Sequence, residues 1–528
     1  MIELTLFFAR FGVIKTTLAL SWACRSGSKW VFYKNIWTQF IKKVYILLNY
    51  SKGARVEFPN IVADMRFCVC RYKGVFMLLF GAMFFACSNS EDLYAVDEIE
   101  AQVETGEAVA TQVSLFESDV LRDPLSATYP YAGIPRVVIE TEGKAAVSDR
   151  ETEIPAKMWI WGEHYPETGA MELTIRGRGN SSWWMPQKGY KLEFSKKQSL
   201  LGMPKDKDWA LVANYADKSL MKNYLMYHLS GKIGSYYAPR CEYVELFLNK
   251  EYLGVYLLTE TIKKSKDRVN LPKNENSYIV EVDAKYREGE QVIFSNVLKS
   301  GDGMPFRIHE PRQASEESLA ALTGHISDFE TYLKGITPDK DNGLEKWVDV
   351  DEFVKHYWLQ EFPKNPDAVF YTSVYFTWAK DDVIKMGPVW DFDLSFGGHS
   401  KEHISQVEGW HVKYSYWNKY AFKDPVVNNA RIRFWQENKT SFLNLIADAD
   451  SLYDALEKAA ENNFKRWKIL KHTDKDYHFA AYDTYKDAVE DLKKWIGERC
   501  FWIESEMQKE PLSEVVVNPL DTLVNPEP

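Results

Sequence analysis

The feature that most constrains the fold is a change in hydrophobic period along the chain. From about residue 134 to residue 306, apolar and polar residues alternate over short runs, as in MELTIR (171–176) and YKLEF (190–194). A period of two is typical of β-strands that are buried on one face. From about residue 315 the apolar residues recur at helical spacing instead. The sequence therefore predicts an α+β protein, sheet-rich in its N-terminal half and helical in its C-terminal half, with two lobes and a cleft between them.

The same patterns predict the individual elements. The predicted strands are residues 136–141, 154–161, 171–176 and 190–194. A hairpin is predicted from 243–247 and 252–259, a sheet insert at 279–306, and a second hairpin from 369–378 and 383–390. One helix is predicted at 217–233, with Asp217 as its N-cap. Further helices are predicted at 316–333, 350–362, 438–471 and 482–508.

The N-terminal region is typical of a targeting segment. Residues 74–86 (GVFMLLFGAMFFA) are apolar, follow the basic Arg71 and Lys73, and end at Cys87. The run is too short for a membrane span, which needs about 20 residues. It indicates a secretory signal peptide at 65–87. The pattern resembles a lipoprotein signal with Cys87 as the lipidated residue, and the acidic residues 90–92 resemble export signals of Bacteroidetes surface lipoproteins.

These features predict an outer-membrane or cell-surface location, with a lipid anchor on Cys87 as the membrane partner. Because Met65 offers an ordinary start, residues 1–64 are predicted to be a non-native extension. The alternative is an N-terminal membrane-associated region, since residues 30–50 are aromatic and basic. Residues 88–133 are predicted to form a flexible acidic tether, and the proline-containing residues 510–528 a disordered tail.

Charge and cysteine content exclude some functions. The formal net charge of −10 argues against general nucleic-acid binding, which requires a basic surface. Of the six cysteines, only Cys241 and Cys500 lie beyond residue 87. They could pair in an oxidising compartment, but we favour two unpaired thiols.

Two carboxylates lie close together in the apolar segment MGPVWDFDLSFG (386–397). Because alternate residues of a strand point the same way, Asp391 and Asp393 are expected to share one side at the end of a strand. Such a pair is costly unless a cation or donors neutralise it, and Mg²⁺ suits oxygen ligands that share a site with phosphate. The alternative is structural, with Asp391 capping a turn and Asp393 in a salt bridge.

Two other segments carry candidate functional residues. In EFPKNPDA (361–368), the prolines end a helix and place Asp367 on a loop, where it could meet a substrate hydroxyl or form an Asx-turn. In RGRGNSSW (176–183), glycines and arginines together suit phosphate binding. A tight hairpin with solvated arginines is the alternative, and the segment lacks the ending of a Walker loop.

Five segments in this order resemble the spore-coat protein H (CotH) kinase family. They are IRGRGNSSW with KGYKLEF, LVANYADKSLMKNYLMYHLS, YVELFLNKEYLGVYLLTETI, LQEFPKNPDAVF and MGPVWDFDLSFG. Looser similarity extends the resemblance, and we assign residues 134–509 to a CotH-like kinase domain. Five ordered blocks are far more specific than any one motif.

The resemblance implies a divergent, atypical protein-kinase-like fold of two lobes. It implies transfer of the ATP γ-phosphoryl group to Ser or Thr of a protein substrate, with ATP and Mg²⁺ as cofactors. By position, Asp367 matches the catalytic-loop aspartate and Asp391 the metal-binding aspartate, with Asp393 as a second carboxylate near the metal. The residues implied on the nucleotide side are Arg176, Arg178, Asn180, Lys188 and, where a hinge to the adenine is expected, Glu260.

The sequence departs from ordinary kinases at one informative position. Those enzymes place a metal-binding Asn five residues after the catalytic-loop Asp, whereas this chain has Thr372. A glutamate partner for a phosphate-binding lysine is not identified either. Two alternatives stay open: a non-catalytic surface module that binds a glycan or protein on the same fold, and a metal-assisted hydrolase that uses the paired aspartates.

Overall fold

The computed structural model describes residues 128–337, 341–473 and 480–513. The predicted extension, the signal peptide with Cys87, the tether up to residue 127 and the tail from residue 514 lie outside the described residues. Within those ranges the first half is rich in strands and the second half is helical, which confirms the predicted α+β class. None of the helices in these ranges combines the length and hydrophobicity that a membrane span requires.

The N-terminal half forms a closed seven-stranded barrel in the order β1-β2-β3-β4-β5-β7-β6. Its strands are β1 (Arg136–Thr141), β2 (Ile154–Trp161), β3 (Met171–Arg178), β4 (Gly189–Gln198), β5 (Asp206–Ala213), β6 (Cys241–Leu248) and β7 (Glu251–Glu260). Strands β1 and β6 pair in parallel and close the barrel, and the other neighbours are antiparallel. Inward side chains such as Ile139, Leu192 and Leu246 are fully buried in an apolar core. The alternation in the sequence is therefore explained by one strand face packing inside the barrel.

The predicted hairpin is formed by β6 and β7. Its turn residues Asn249 and Lys250 have φ values of 52° and 73°, the left-handed pair that a type I′ turn requires. The backbone N–H of Thr141 donates to Asn249 Oδ1 at 3.0 Å, which joins the turn to the end of β1. A local turn signal thus also contributes to closing the barrel.

A second sheet has five strands in the order β12-β11-β8-β10-β9. The strands are β8 (Ser277–Val282), β9 (Val292–Ser295), β10 (Met304–Glu310), β11 (Val374–Ala379) and β12 (Lys385–Met386). Strand β8 is buried along its whole length and pairs antiparallel with both β10 and β11. In this register Val282 lies opposite Val374. The residues that follow β8 therefore lie beside the loop that precedes β11.

The helices of the described ranges are α1 (Lys222–Lys232), α2 (Glu316–Lys334), α3 (Val350–Glu361), α4 (Glu402–Ser405), α5 (Tyr416–Ala421), α6 (Pro425–Leu443), α7 (Leu445–Arg466) and α8 (Tyr485–Met507). The structure confirms α2, α3 and α8 to within a few residues of their predicted limits. Each begins at a side-chain N-cap, provided by Ser315, Asp349 and Thr484. These caps satisfy backbone N–H groups that have no partner inside the helix.

Two predicted helices differ from the structure. The helix predicted from Asp217 begins at Lys222, because the Asp217 carboxylate accepts hydrogen bonds from the backbone of Ser219 and Lys222 at 2.9 Å and stabilises the preceding turn. The helix predicted at 438–471 is in fact α6 and α7. Asn444 lies at the junction of the two, as the C-cap of one and the N-cap of the other.

Both ends of the folded part lie beyond their predicted limits. Tyr129, assigned to the tether, stacks on Tyr252 with 4.2 Å between ring centroids. Ser513, assigned to the tail, donates its backbone N–H to Asn429 Oδ1 at 2.9 Å. The aromatic stacking and the hydrogen bond attach these flanking residues to the domain, so its limits of 134 and 509 were set too narrowly.

Cys241 and Cys500 are both free, which confirms the preferred prediction of unpaired thiols. Burial raises the pKa of the Cys500 thiol to about 12 and that of Cys241 well above its usual value. Because the reactive form of cysteine is the thiolate, these two residues are structural.

Candidate functional site

A cavity of about 310 Å³ lies among the ends of barrel strands, the second sheet and the loops around Asp367 and Asp391. Six predicted site residues line it: Arg176, Arg178, Asn180, Asp367, Asp391 and Asp393. The fold thus brings the basic loop and all three carboxylates, which are far apart in the sequence, into one cavity. A larger open groove on the outer wall of the barrel, about 990 Å³, is lined by none of them.

Asp367 lies on the loop after α3, where the proline residues predict it. Asn365 joins this loop to the other aspartates: its Oδ1 accepts from the backbone N–H of Asp367 at 3.2 Å, and its Nδ2 donates to the Asp391 carbonyl at 3.0 Å. The Asp367 carboxylate receives no hydrogen bond from the described residues. It is therefore available to accept a proton from a bound hydroxyl group.

Asp391 lies on irregular backbone, so the prediction that it ends a strand was wrong. Strand β12 ends at Met386, and Asp391 has a φ of 65°, in the left-handed region that residues other than glycine rarely occupy. The next N–H, that of Phe392, donates to Asn223 Oδ1 on α1 at 2.8 Å. Hydrogen bonds to the carbonyl and the N–H of the peptide group after Asp391 therefore hold a strained backbone, as is common at functional sites.

The three carboxylates interact electrostatically. The side chains of Asp391 and Asp393 hydrogen-bond to each other, and burial raises the pKa of both. The charges of Asp391 and then Asp367 raise the pKa of Asp393 further. Burial, followed by the charge of Asp391, raises the pKa of Asp367 to about 6. A cation bound here would favour the ionised form of these carboxylates and so lower their pKa values.

Asp391 and Asp393 are the residues that fit a Mg²⁺ ion. Neither forms an ion pair with a described residue, and the nearby charges of Arg178, Lys285 and Lys222 offset their mutual repulsion only in part, since the pKa of both stays raised. No group of three His, Cys, Asp or Glu side chains in the described ranges is arranged to hold a metal ion. One or two carboxylates suffice for Mg²⁺, because phosphate oxygens and water complete its octahedral shell.

The basic loop supplies one unengaged guanidinium group. Arg178 lies over the Trp390 ring at 5.1 Å, beside Asp391, and makes no hydrogen bond or ion pair with a described residue. Arg176, in contrast, donates to the Arg150 carbonyl at 2.6 Å and lies 3.7 Å from Glu153. Arg178 is thus the residue of this loop best placed to bind an anion.

The two glycines of this loop are explained by close packing. A Cβ on Gly177 would overlap the Trp183 ring, and one on Gly179 would overlap the Ser182 hydroxyl. Gly179 also has a φ of 108°, which side chains disfavour. The glycines therefore fold the loop against Trp183, and this packing sets the position of Arg178 at the cavity wall.

Two predicted nucleotide-side residues do not line the cavity. Lys188 Nζ donates to the Trp183 carbonyl at 2.9 Å and lies over that ring at 4.7 Å. Glu260 is fully buried and accepts from Arg240 at 2.9 Å and from the Tyr237 hydroxyl at 3.1 Å. Because both charges are bound by structural partners, the prediction that Lys188 and Glu260 hold the nucleotide is not supported by the geometry.

The sequence interpretation missed the contribution of the second sheet. Asp283, Lys285 and Arg307 also line the cavity. Asp283 accepts from the Thr372 hydroxyl at 2.8 Å and lies 3.3 Å from Arg307. The available signal was EVDAKYR (281–287), a run of charged residues at the end of a buried strand, which we assigned only to a sheet insert.

Comparison with known proteins is consistent with this geometry. Residues 175–503 match the model of the family described as CotH kinase protein. This match includes all the carboxylates and the Arg178 side of the cavity. None of the curated proteins matches the chain. Since the match extends over more than half of the sequence, the chain belongs to the CotH kinase family.

Proposed function

We propose that this protein is an atypical protein kinase, with two kinase-like lobes, that transfers the γ-phosphoryl group of ATP to a Ser or Thr hydroxyl of a protein. Family membership suggests a kinase-like activity. The observation that carries the proposal is a single cavity in which an unengaged carboxylate, Asp367, and a carboxylate pair, Asp391 and Asp393, lie with an unengaged guanidinium, Arg178. Phosphoryl transfer depends mainly on positioning and charge neutralisation, which these groups can supply.

Each group has a distinct role in this proposal. Asp367 orients the acceptor hydroxyl and accepts its proton. Asp391 and Asp393 would hold Mg²⁺, which when bound neutralises charge on the phosphate oxygens. Arg178 binds phosphate oxygens through its planar, bidentate donors. Because Asp367 must be ionised to accept a proton, we expect activity to fall as the pH drops below about 6.

The direct test is transfer of label from [γ-³²P]ATP with Mg²⁺ to the protein itself or to an added protein mixture. Label should appear with the parent and be lost with Asp367→Asn and with Asp391→Asn. The matched control is Asp302→Asn, an exposed aspartate outside the cavity. A folded parent that transfers no label and binds a glycan or protein would instead support the non-catalytic alternative.

We propose further that the domain acts outside the cytoplasm, attached to the outer membrane through a lipid on Cys87. The apolar run at 74–86 followed at once by Cys87 supports this location. Metabolic labelling with radioactive palmitate should label the parent but not Cys87→Ser. Protease treatment of intact cells should then show which side of the membrane carries the domain. An unlabelled parent would contradict the lipid anchor.

A further inference from the structure

We propose that Lys285 binds the γ-phosphoryl group during its transfer and that Thr372 positions Lys285 for this task. The proposal rests on the proposed function and adds a residue from the second sheet to the site. Neither position was assigned a role from the sequence. The argument starts from the surroundings of the Lys285 side chain.

Lys285 is a cation in the same cavity as Asp367 and the Asp391–Asp393 pair. It lines the cavity, and its Nζ lies 5.2 Å from the centre of the Tyr371 ring. Its positive charge acts on both Asp367 and Asp391. The Lys285 ammonium group forms no hydrogen bond or ion pair with a residue that the structure describes. A cation that acts on both Asp367 and Asp391 would stabilise the negative charge of a phosphoryl group that moves from the metal-binding aspartates to an acceptor beside Asp367.

The other basic residues contributed by the second sheet are already neutralised. Arg307 pairs with Glu281 and lies 3.3 Å from both Asp283 and Glu290. Arg287, on the loop after Lys285, pairs at 2.7 Å with Glu151. Lys285 from the second sheet and Arg178 at the end of β3 therefore both offer an entering anion a positive charge that is not held in an ion pair with a described residue.

The backbone that carries Lys285 is fixed to the Asp367 loop. The backbone N–H of Lys285 donates to Asp283 Oδ1 at 2.8 Å, and the N–H of Ala284 donates to the Tyr371 carbonyl at 2.8 Å. The Thr372 hydroxyl donates to the same Asp283 oxygen at 2.8 Å. Asp283 thus connects the turn after β8 to the loop that carries the proposed base.

These contacts give Thr372 a role at the position where ordinary kinases have a metal-binding Asn. Thr372 is buried and its hydroxyl is bound to Asp283. The side chain at this position therefore supports a turn that presents a lysine. In ordinary kinases the Asn at this position binds a metal ion, which brings positive charge to the γ-phosphoryl group. We infer that Lys285 supplies this positive charge here.

The covalent step leaves Lys285 unchanged. The bond between the γ-phosphorus and the bridging oxygen of ATP breaks, and its electron pair leaves with ADP. A bond forms from the acceptor oxygen to the γ-phosphorus, and the acceptor proton moves to Asp367. Lys285 only donates hydrogen bonds to the non-bridging oxygens of the group in transit.

The test compares binding of two nucleotides without turnover. Calorimetric titration in Mg²⁺ buffer measures the affinity of the full-length protein for the β,γ-imido analogue of ATP and for ADP. Because Lys285 is proposed to contact only the γ-phosphoryl group, Lys285→Met should lower the affinity for the analogue by about 10- to 100-fold and leave the affinity for ADP nearly unchanged. Lys285→Arg should retain part of the difference. Lys299→Met, at an exposed lysine outside the cavity, should change neither affinity.

Thr372 is tested in the same way. Thr372→Val should weaken binding of the analogue but not of ADP. Thr372→Ser should bind the analogue as the parent does, because it keeps the hydroxyl that donates to Asp283. Urea denaturation of each variant checks that the fold is kept. Equal affinities of Lys285→Met and the parent for the analogue, or an equal loss for ADP, would overturn the role of Lys285. Failure of the parent to bind either nucleotide would overturn the proposed function itself.

Discussion

Asp367 is expected to destabilise the folded protein, so its replacement by asparagine should stabilise the fold while abolishing phosphoryl transfer. The carboxylate is largely buried, receives no hydrogen bond from the described residues and lies near the charge of Asp391. Asparagine has nearly the same shape and carries no charge. The substitution therefore removes the electrostatic cost and leaves the packing of the loop unchanged.

The magnitude follows from the pKa of Asp367, which rises from an ordinary value of 3.8 to about 6 in the folded protein. At about 1.4 kcal/mol per pKa unit, ionised Asp367 disfavours folding by at most about 3 kcal/mol. Partial contact with solvent reduces this value, so we expect about 1–3 kcal/mol at neutral pH. Such a gain is a sizeable part of the 5–15 kcal/mol that typically stabilises a protein.

The pH dependence has a defined sign. Between about pH 4 and pH 6 the folded protein holds a proton on Asp367 that the unfolded chain has lost. The contribution of this residue to the free energy of unfolding therefore falls as the pH rises through this window and stays low above it. Asp367→Asn does not show this fall in the free energy of unfolding, because asparagine does not ionise. The difference between variant and parent should be close to zero below pH 4 and largest above pH 6.

Urea denaturation in EDTA, at several pH values from about 4 to 7.5, measures this difference. Asp302→Asn, at an exposed position, should show no comparable gain. An Asp367→Asn variant that is less stable than the parent at neutral pH would refute the reasoning. So would a gain of the same size at every pH, because a pH-independent gain cannot arise from the charge of this carboxylate.

Two further predictions concern stability away from the carboxylates. Arg499 and Glu361 form a fully buried ion pair at 2.8 Å. Arg499→Met should therefore lower the free energy of unfolding by about 3–5 kcal/mol, because it leaves a buried charge without a partner. A loss below about 1 kcal/mol in urea denaturation would contradict this prediction. Gly177→Ala should lower the free energy of unfolding by about 1–3 kcal/mol, because the new methyl group overlaps Trp183. The control Gly169→Ala should be nearly neutral, because its methyl group meets no atom within 4 Å. Equal thermal midpoints for the two variants would count against the packing argument.

Local patterns sufficed for much of the fold. The barrel strands alternate because one face packs inside the barrel, and helical periodicity predicted the limits of α2, α3 and α8 to within a few residues. The part of helix α6 before residue 438 was missed because polar and apolar residues occur on all its sides, so that its period is weak. Its start is marked in the sequence by an N-cap residue, Asp424, followed by a proline, Pro425, but an argument from periodicity alone does not consider these residues.

The site was predictable only where a local signal existed. The prolines place Asp367 on a loop, but nothing local reports that Asp391 has a left-handed conformation, since its apolar neighbours suggest a strand. Lys285 could not be placed from the sequence, because it reaches the cavity through the register that sets Val282 of β8 opposite Val374 of β11. Register between strands so far apart depends on the whole sheet.

The cavity therefore combines features that each oppose folding. Its carboxylates repel one another, and left-handed backbone occurs at Phe370, Ser373 and Asp391 around it. Such features persist only where surrounding contacts fix them, and here Asn365 and Thr372 bind the two loops to each other and to the second sheet. Because the unfavourable charge is fixed in place before any ligand arrives, a bound cation and phosphate relieve existing repulsion and need little rearrangement. Such preorganisation is what the proposed phosphoryl transfer would require.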